Sequence, residues 1–134
     1  MQAFEPETLP SAASQARMTV LIVEDNEGVR RLLRTAVEGF AAVTWDCRDG
    51  AYALEAYLKY RPDVVLMDMR MPVMDGLAAT RQIVRSDPSA KVVIVTDYDD
   101  KDLRGAACEA GACGYALKRN LLDLVPLIRS AAGM

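Results

Sequence analysis

From Met18 onward the chain alternates short apolar runs with longer stretches in which apolar residues recur every three or four positions. The runs, at residues 19–23, 41–45, 64–67, 92–95 and 114–117, have strand length, and most are rich in valine and other strand formers. Between them Val29, Leu32, Leu33, Ala36 and Val37, then Ala53, Leu54, Tyr57 and Leu58, follow helical spacing. Further helices are predicted over 77–85, 102–110 and 121–132. Strands that alternate with helices predict an α/β fold: a parallel sheet whose right-handed crossovers cover both faces.

Local punctuation agrees with these boundaries. Asp49 and Gly50 open the second helix, Arg61 and Pro62 close it, and Asp87 before Pro88 stops the third, because a residue preceding proline resists the helical basin. Gly111 stands where a C-terminal cap is wanted. Pro126 falls inside the last helical pattern, so that helix either starts late, with Asp123 as its cap, or kinks. Residues 1–17, with Pro6, Pro10, Ser11 and Ser14 and no sustained period, read as a flexible extension, which leaves 18–134 as one domain. Met18 would also serve as an alternative start.

Composition narrows the chemistry. At 134 residues, 51% hydrophobic and 26% charged, the chain is sized for a single globular domain with its own core. A net charge of −3 argues against direct nucleic-acid binding, which needs a cationic surface. With no histidine in the chain, Ser/His or Cys/His nucleophile pairs and His-ligated zinc are excluded unless a partner supplies the imidazole. Cys47, Cys108 and Cys113 lack CxxC spacing and read as small buried or half-buried thiols in a reducing cytoplasm. No run reaches the length of a membrane span and no signal pattern opens the chain, so a cytoplasmic location is expected.

The polar residues at the ends of the runs carry the functional signal. Glu24 and Asp25 follow the first run, Asp68 the third, Thr96 the fourth and Lys118 the fifth. In an open parallel sheet the strand carboxyl ends share one edge, where ligands bind at the reversal of strand order, so these five side chains are expected to meet. Singly, such an aspartate reads as a turn or cap, such a threonine as fitting the pleat, and such a lysine as solvated. Together, three carboxylates repel unless a cation joins them, and hard oxygen donors suit Mg²⁺. With a metal and the Lys118 ammonium in place, Asp68 would be a nucleophile toward phosphorus and Thr96 would donate to the transferred group.

These residues sit in segments that resemble the receiver domain of two-component response regulators: VLIVEDN at 20–26, DVVLMDMRMPVMDG at 63–76, VVIVTDYDD at 92–100 and GACGYALK at 111–118. The resemblance implies a doubly wound five-stranded sheet of flavodoxin-like order 2-1-3-4-5. It implies Asp68 as phospho-acceptor and Mg²⁺ held by Glu24, Asp25, Asp68 and the backbone carbonyl of Arg70. Thr96 and Lys118 match the family's hydroxyl and lysine, and Tyr115 matches the aromatic that turns inward when the threonine moves toward the phosphoryl group; the alternative for Tyr115 is a plain core aromatic. Pro72 and Gly76 match the loop after the acceptor. Asp97 departs from the small residue usual there and is expected to slow anionic small phosphodonors; Arg119 stands where proline is common. Arg70 and Tyr98 occupy positions that tend to tune phosphoryl lifetime.

The implied function is a signalling switch phosphorylated on Asp68 by a histidine kinase or phosphotransfer protein, catalysing only its own phosphorylation and dephosphorylation. Its output surface would be formed by the fourth helix, fifth strand and fifth helix, where phosphorylation would favour a homodimer or release a partner. Arg30, Arg31 and Arg34 read as a solvated helix face, with an acidic kinase surface as the alternative contact. A haloacid-dehalogenase-like enzyme would want a second aspartate two residues after Asp68, where Arg70 stands. A receiver-like adaptor would not need the full acidic, hydroxyl and lysine set. The chain ends soon after the fifth helix, which suits a stand-alone receiver or the receiver piece of a longer regulator.

Overall fold

The computed structural model describes residues 18–71 and 73–131. The expected flexible extension, Pro72 and the end of the last predicted helix lie outside the described residues. Five strands, β1 (Met18–Val23), β2 (Ala41–Cys47), β3 (Val64–Asp68), β4 (Val92–Thr96) and β5 (Gly114–Leu117), form one parallel sheet in the order β2-β1-β3-β4-β5. The helices are α1 (Glu27–Val37), α2 (Ala53–Tyr60), α3 (Gly76–Ser86), α4 (Lys101–Ala110) and α5 (Leu124–Ala131), with one-turn 3₁₀ segments leading into α2 and α5. This is the doubly wound α/β architecture expected from the alternation of runs.

The sheet divides the core by strand parity. Val20, Ile22, Leu66 and Val93 pack with Leu33 and Val37 of α1 and Leu124 and Ile128 of α5 on one face. Leu21, Val23, Met67 and Ile94 pack on the other with Tyr57 of α2, Ile83 of α3 and Ala107 of α4. The central strands β3 and β4 are buried at every position, which is why their sequences are apolar without alternation.

Capping fixes where the helices begin and end. Asn26 and Asp75 accept hydrogen bonds from Val29 and Ala78 amides at 2.9 and 2.8 Å, starting α1 and α3. Gly111, at φ 105°, ends α4 in the left-handed region. Arg61 ends α2 at φ 48°, a conformation in which a non-glycine residue is uncommon. For Pro126 the helix takes the late start, α5 opening at Leu124 so that the proline lies in its first turn, but Asp123 is not the cap: it ends the 3₁₀ turn Leu121–Asp123, and its carboxylate accepts from Asn120 Nδ2 at 2.6 Å. The cysteines need correction. Cys47 is buried, but Cys108 and Cys113 are exposed. Cys108 follows the buried Ala107 on the flank of α4, and Cys113 precedes β5, the edge strand of the sheet among the described residues. Among the described residues, no helix is long and apolar enough to cross a membrane.

Candidate functional site

Strand order reverses between β1 and β3, since the chain leaves β1 for β2 on one side and returns to β3 on the other. That places the carboxyl ends of β1 and β3 side by side at the edge where α/β sheets bind ligands. Asp68 is the last residue of β3, paired in register with Val95, and Thr96 is the last of β4, paired with Leu117. Glu24 continues past β1, its amide donating to the Cys47 carbonyl at 2.9 Å. Lys118 continues past β5, its amide donating to the Thr96 carbonyl at 2.8 Å.

The Lys118 ammonium ties two of these strand ends together. It lies 2.9 Å from Asp68 Oδ1 and 3.0 Å from Glu24 Oε1. Glu24 and Asp68 are 1% and 4% exposed, whereas Asp25 faces solvent. Burial dominates their protonation: the Glu24 carboxyl is pushed up to about 7, against the opposing pull of Lys118 and with the Asp68 charge adding to the rise. Burial also raises Asp68, with Lys118 opposing. For Lys118, burial works to lower the pKa, but hydrogen bonds to Asp68 and Glu24 outweigh it and the net direction is up. One ammonium therefore faces two buried carboxyls that cannot both ionise without penalty.

The residues fit a hard divalent cation. Glu24, Asp25 and Asp68 each offer a carboxylate oxygen, all within 4.8 Å of one another. Glu24 Oε1 is fully shielded from solvent, and its cationic contact is the Lys118 ammonium, which it shares with Asp68. A buried carboxylate oxygen left in that state is costly unless another positive partner meets it. An all-oxygen donor set without nitrogen or sulfur suits Mg²⁺ chemistry rather than a soft metal.

The remaining predicted residues surround this centre. Thr96 is buried, and its Oγ1 accepts from the Tyr98 amide at 3.3 Å; among the described residues no hydrogen bond joins it to Asp68. Tyr115 is half-buried, its hydroxyl donating to the Tyr98 carbonyl at 2.5 Å while the Arg104 guanidinium lies 4.5 Å from its ring centre. Its ring packs against the core, its hydroxyl engages the β4–α4 loop, and its face meets Arg104 of α4. Arg70 is exposed and stacks its guanidinium 4.5 Å above the Tyr98 ring. Asp97 is exposed at the same edge, and its carbonyl accepts from Arg119 Nη1 at 3.2 Å. Gly76 is required by contact: a Cβ there would overlap the Asp68 carbonyl oxygen. Pro72 lies outside the described residues.

One expectation is overturned. Arg31 is solvated, with an i,i+4 pair to Glu27 at 3.6 Å, and Arg34 is partly exposed beside Asp46, but Arg30 is only 5% exposed. Its Nη1 donates to the carbonyls of Glu24 at 2.9 Å and Asp25 at 3.2 Å. The signal was present in the spacing: Arg30, Leu33 and Val37 form the buried stripe of α1, and an arginine on that stripe must bury its head or break the packing.

Known proteins match both the sequence and the fold. The family model described as the response regulator receiver domain matches residues 20–129. The transcriptional regulatory protein DegU of Brevibacillus brevis is 37% identical over 78% of this chain, which spans 45% of that protein's length. The chemotaxis protein CheY of Halobacterium salinarum is 37% identical over 74% of this chain and 82% of its own. Among solved structures, a two-component response regulator of the LuxR family from Aurantimonas sp. SI85-9A1 superposes with a TM-score of 0.82 at 29% identity, covering 87% of this chain and 86% of that one.

Proposed function

This chain belongs to the response regulator receiver family of two-component systems, and on that premise we propose that it is a phosphorylatable signalling switch whose acceptor is Asp68. The donor would be a phosphohistidine on a histidine kinase or phosphotransfer protein, supplying the imidazole that this chain lacks. An Asp68 carboxylate oxygen attacks phosphorus, an O–P bond forms as the P–N bond breaks, and the electron pair leaves with the donor's imidazole. Lys118, already 2.9 Å from Asp68 Oδ1, offers its ammonium to the charge arriving with the phosphoryl group. Thr96 would exchange its present bond from the Tyr98 amide for one donated to that group, and Tyr115, bonded to the Tyr98 carbonyl, would respond. Mg²⁺ would be held by Glu24, Asp25, Asp68 and, by family likeness, the Arg70 carbonyl; when bound it supplies charge neutralisation for the phosphoryl oxygens.

The observation that carries this reading is the one ammonium shared by two buried carboxyls, with a third carboxylate within 4.8 Å. Phosphorylation would bias the α4–β5–α5 surface toward a homodimer or release of a partner, in a cytoplasmic domain without a role in contacting nucleic acid or membrane. In this reading residues 18–134 form the receiver unit, and its catalysis is limited to its own phosphorylation and dephosphorylation. Intact-mass analysis after Mg²⁺ and an acyl phosphate donor tests it. Wild type is expected to gain one phosphoryl group and Asp68→Asn none; an equal gain in both removes the proposed acceptor.

A further inference from the structure

A guanidinium withdrawn from water must be matched by acceptors, because an unpaired buried charge is among the most destabilising features a core can hold. Arg30 finds its acceptors in two successive carbonyls of the β1–α1 turn, those of Glu24 and Asp25. Its Nε lies 3.9 Å from Asp46 on β2, a carboxylate that Arg34 contacts from the outside. Two peptide planes of the turn are thus fixed by one side chain, and the residues whose planes are fixed are the two that bring β1's carboxylates to the acidic centre. Asn26 closes the turn from the other side: its amide donates to Glu24 Oε2 at 3.2 Å, and its carbonyl accepts from the Arg30 amide at 2.9 Å.

We infer that Arg30 is a positioning residue for divalent-cation binding: its buried guanidinium sets the direction of Glu24 and Asp25 by holding their backbone carbonyls, and Asp46 holds Arg30. The inference rests on the reading of the acidic centre as a cation site. Groups that orient metal ligands without touching the metal typically change affinity by roughly 10–100-fold when removed. Arg30 would act in that way through the backbone, where a shift of the turn moves both carboxylates at once.

Mn²⁺ affinity, read from the electron paramagnetic resonance signal of the free ion, tests this beside circular dichroism of the same samples. Arg30→Met is expected to weaken Mn²⁺ binding by roughly 10-fold or more with the sheet and helices retained. Arg30→Lys keeps the charge without the planar fork and should recover part of the loss, while Arg31→Met, on the solvated flank, should match wild type. Arg30→Met binding Mn²⁺ within twofold of wild type overturns the inference and leaves the cation site standing. If Arg30→Met does not fold, Asp46→Asn decides: several-fold weaker binding supports the positioning chain, and wild-type affinity overturns it. Failure of the wild type to bind Mn²⁺, or unchanged binding in Asp25→Asn, overturns the cation site itself and this inference with it.

Discussion

A methyl group at Gly76 would overlap the carbonyl oxygen of Asp68 and come within 2.9 Å of its carbonyl carbon. Backbone cannot yield as a flexible side chain does, so Gly76→Ala is expected to cost roughly 1–3 kcal/mol in urea unfolding. Because the displaced backbone carries Asp68, phosphoryl uptake should fall with it. A methyl group at Gly105 in α4 would meet nothing within 4 Å, and Gly105→Ala should instead stabilise by roughly 0.5–1 kcal/mol, the helix-interior cost of glycine. A second contrast lies at the opposite edge of the sheet. Asp87 is held down to about 2, first by the Ser89 hydroxyl at 2.6 Å and then by the Tyr57 hydroxyl at 2.6 Å. A carboxyl lowered on folding from 3.8 contributes stability above that value and loses it as pH falls through about 2. Tyr57, pushed up to about 12 by burial and then by Asp87, contributes stability below 10 and loses it as pH rises through about 12. Carboxyl-carbon NMR should find the Asp87 midpoint moved toward 3.8 more by Ser89→Ala than by Tyr57→Phe; the reverse ranking would reassign its main partner.

At the scale of elements, the short apolar runs predicted all five strands, and those of β3 and β4 stopped one residue short at Asp68 and Thr96 for an identifiable reason. A polar side chain ends an apolar run, but the backbone ladder continues through Asp68↔Val95 and Thr96↔Leu117. Asp68 is therefore built into the strand rather than placed on the loop beyond it. Arg30 escaped the pattern reading because periodicity weighs residues by polarity, and a charged head that curls back to backbone carbonyls counts as solvated. The stacks of Arg70 on Tyr98 and Arg104 on Tyr115 join side chains from separate segments, and spacing along one element carries no information about them. Pro126 is the position where sequence allowed two outcomes and the fold took one. In the first turn of α5 it forfeits little, so Pro126→Ala is expected to change stability by no more than about 1 kcal/mol. A gain near 3 kcal/mol on removing the proline would mean that it sits in a helix interior.

Across the whole molecule, the reach from Glu24 to Lys118 was legible because a rule of topology gathers strand ends, whatever their separation along the chain. Burial was not legible: adjacent acidic residues, Glu24 at 1% exposure and Asp25 in solvent, look equivalent in sequence, yet the Glu24 carboxyl turns inward to Lys118 and the Asn26 amide while Asp25 stays exposed. With Asp25 beside them, Glu24 and Asp68 put three carboxyls around the single ammonium of Lys118, which contacts both buried ones. A ligand bound by the folded state alone stabilises it by RT ln(1 + [L]/Kd), about 2.7 kcal/mol at a hundredfold excess over Kd. For a domain of this size that corresponds to a rise in melting temperature of roughly 10 °C. Saturating Mg²⁺ should produce a rise of this order in calorimetry, and a chelator should reverse it. Asp25→Asn should lose most of the effect while melting near the metal-free wild type, since its side chain is solvated and its removal leaves the core untouched. A Mg²⁺-dependent rise of equal size in Asp25→Asn would place the stabilising cation elsewhere on the molecule and detach the acidic centre from it.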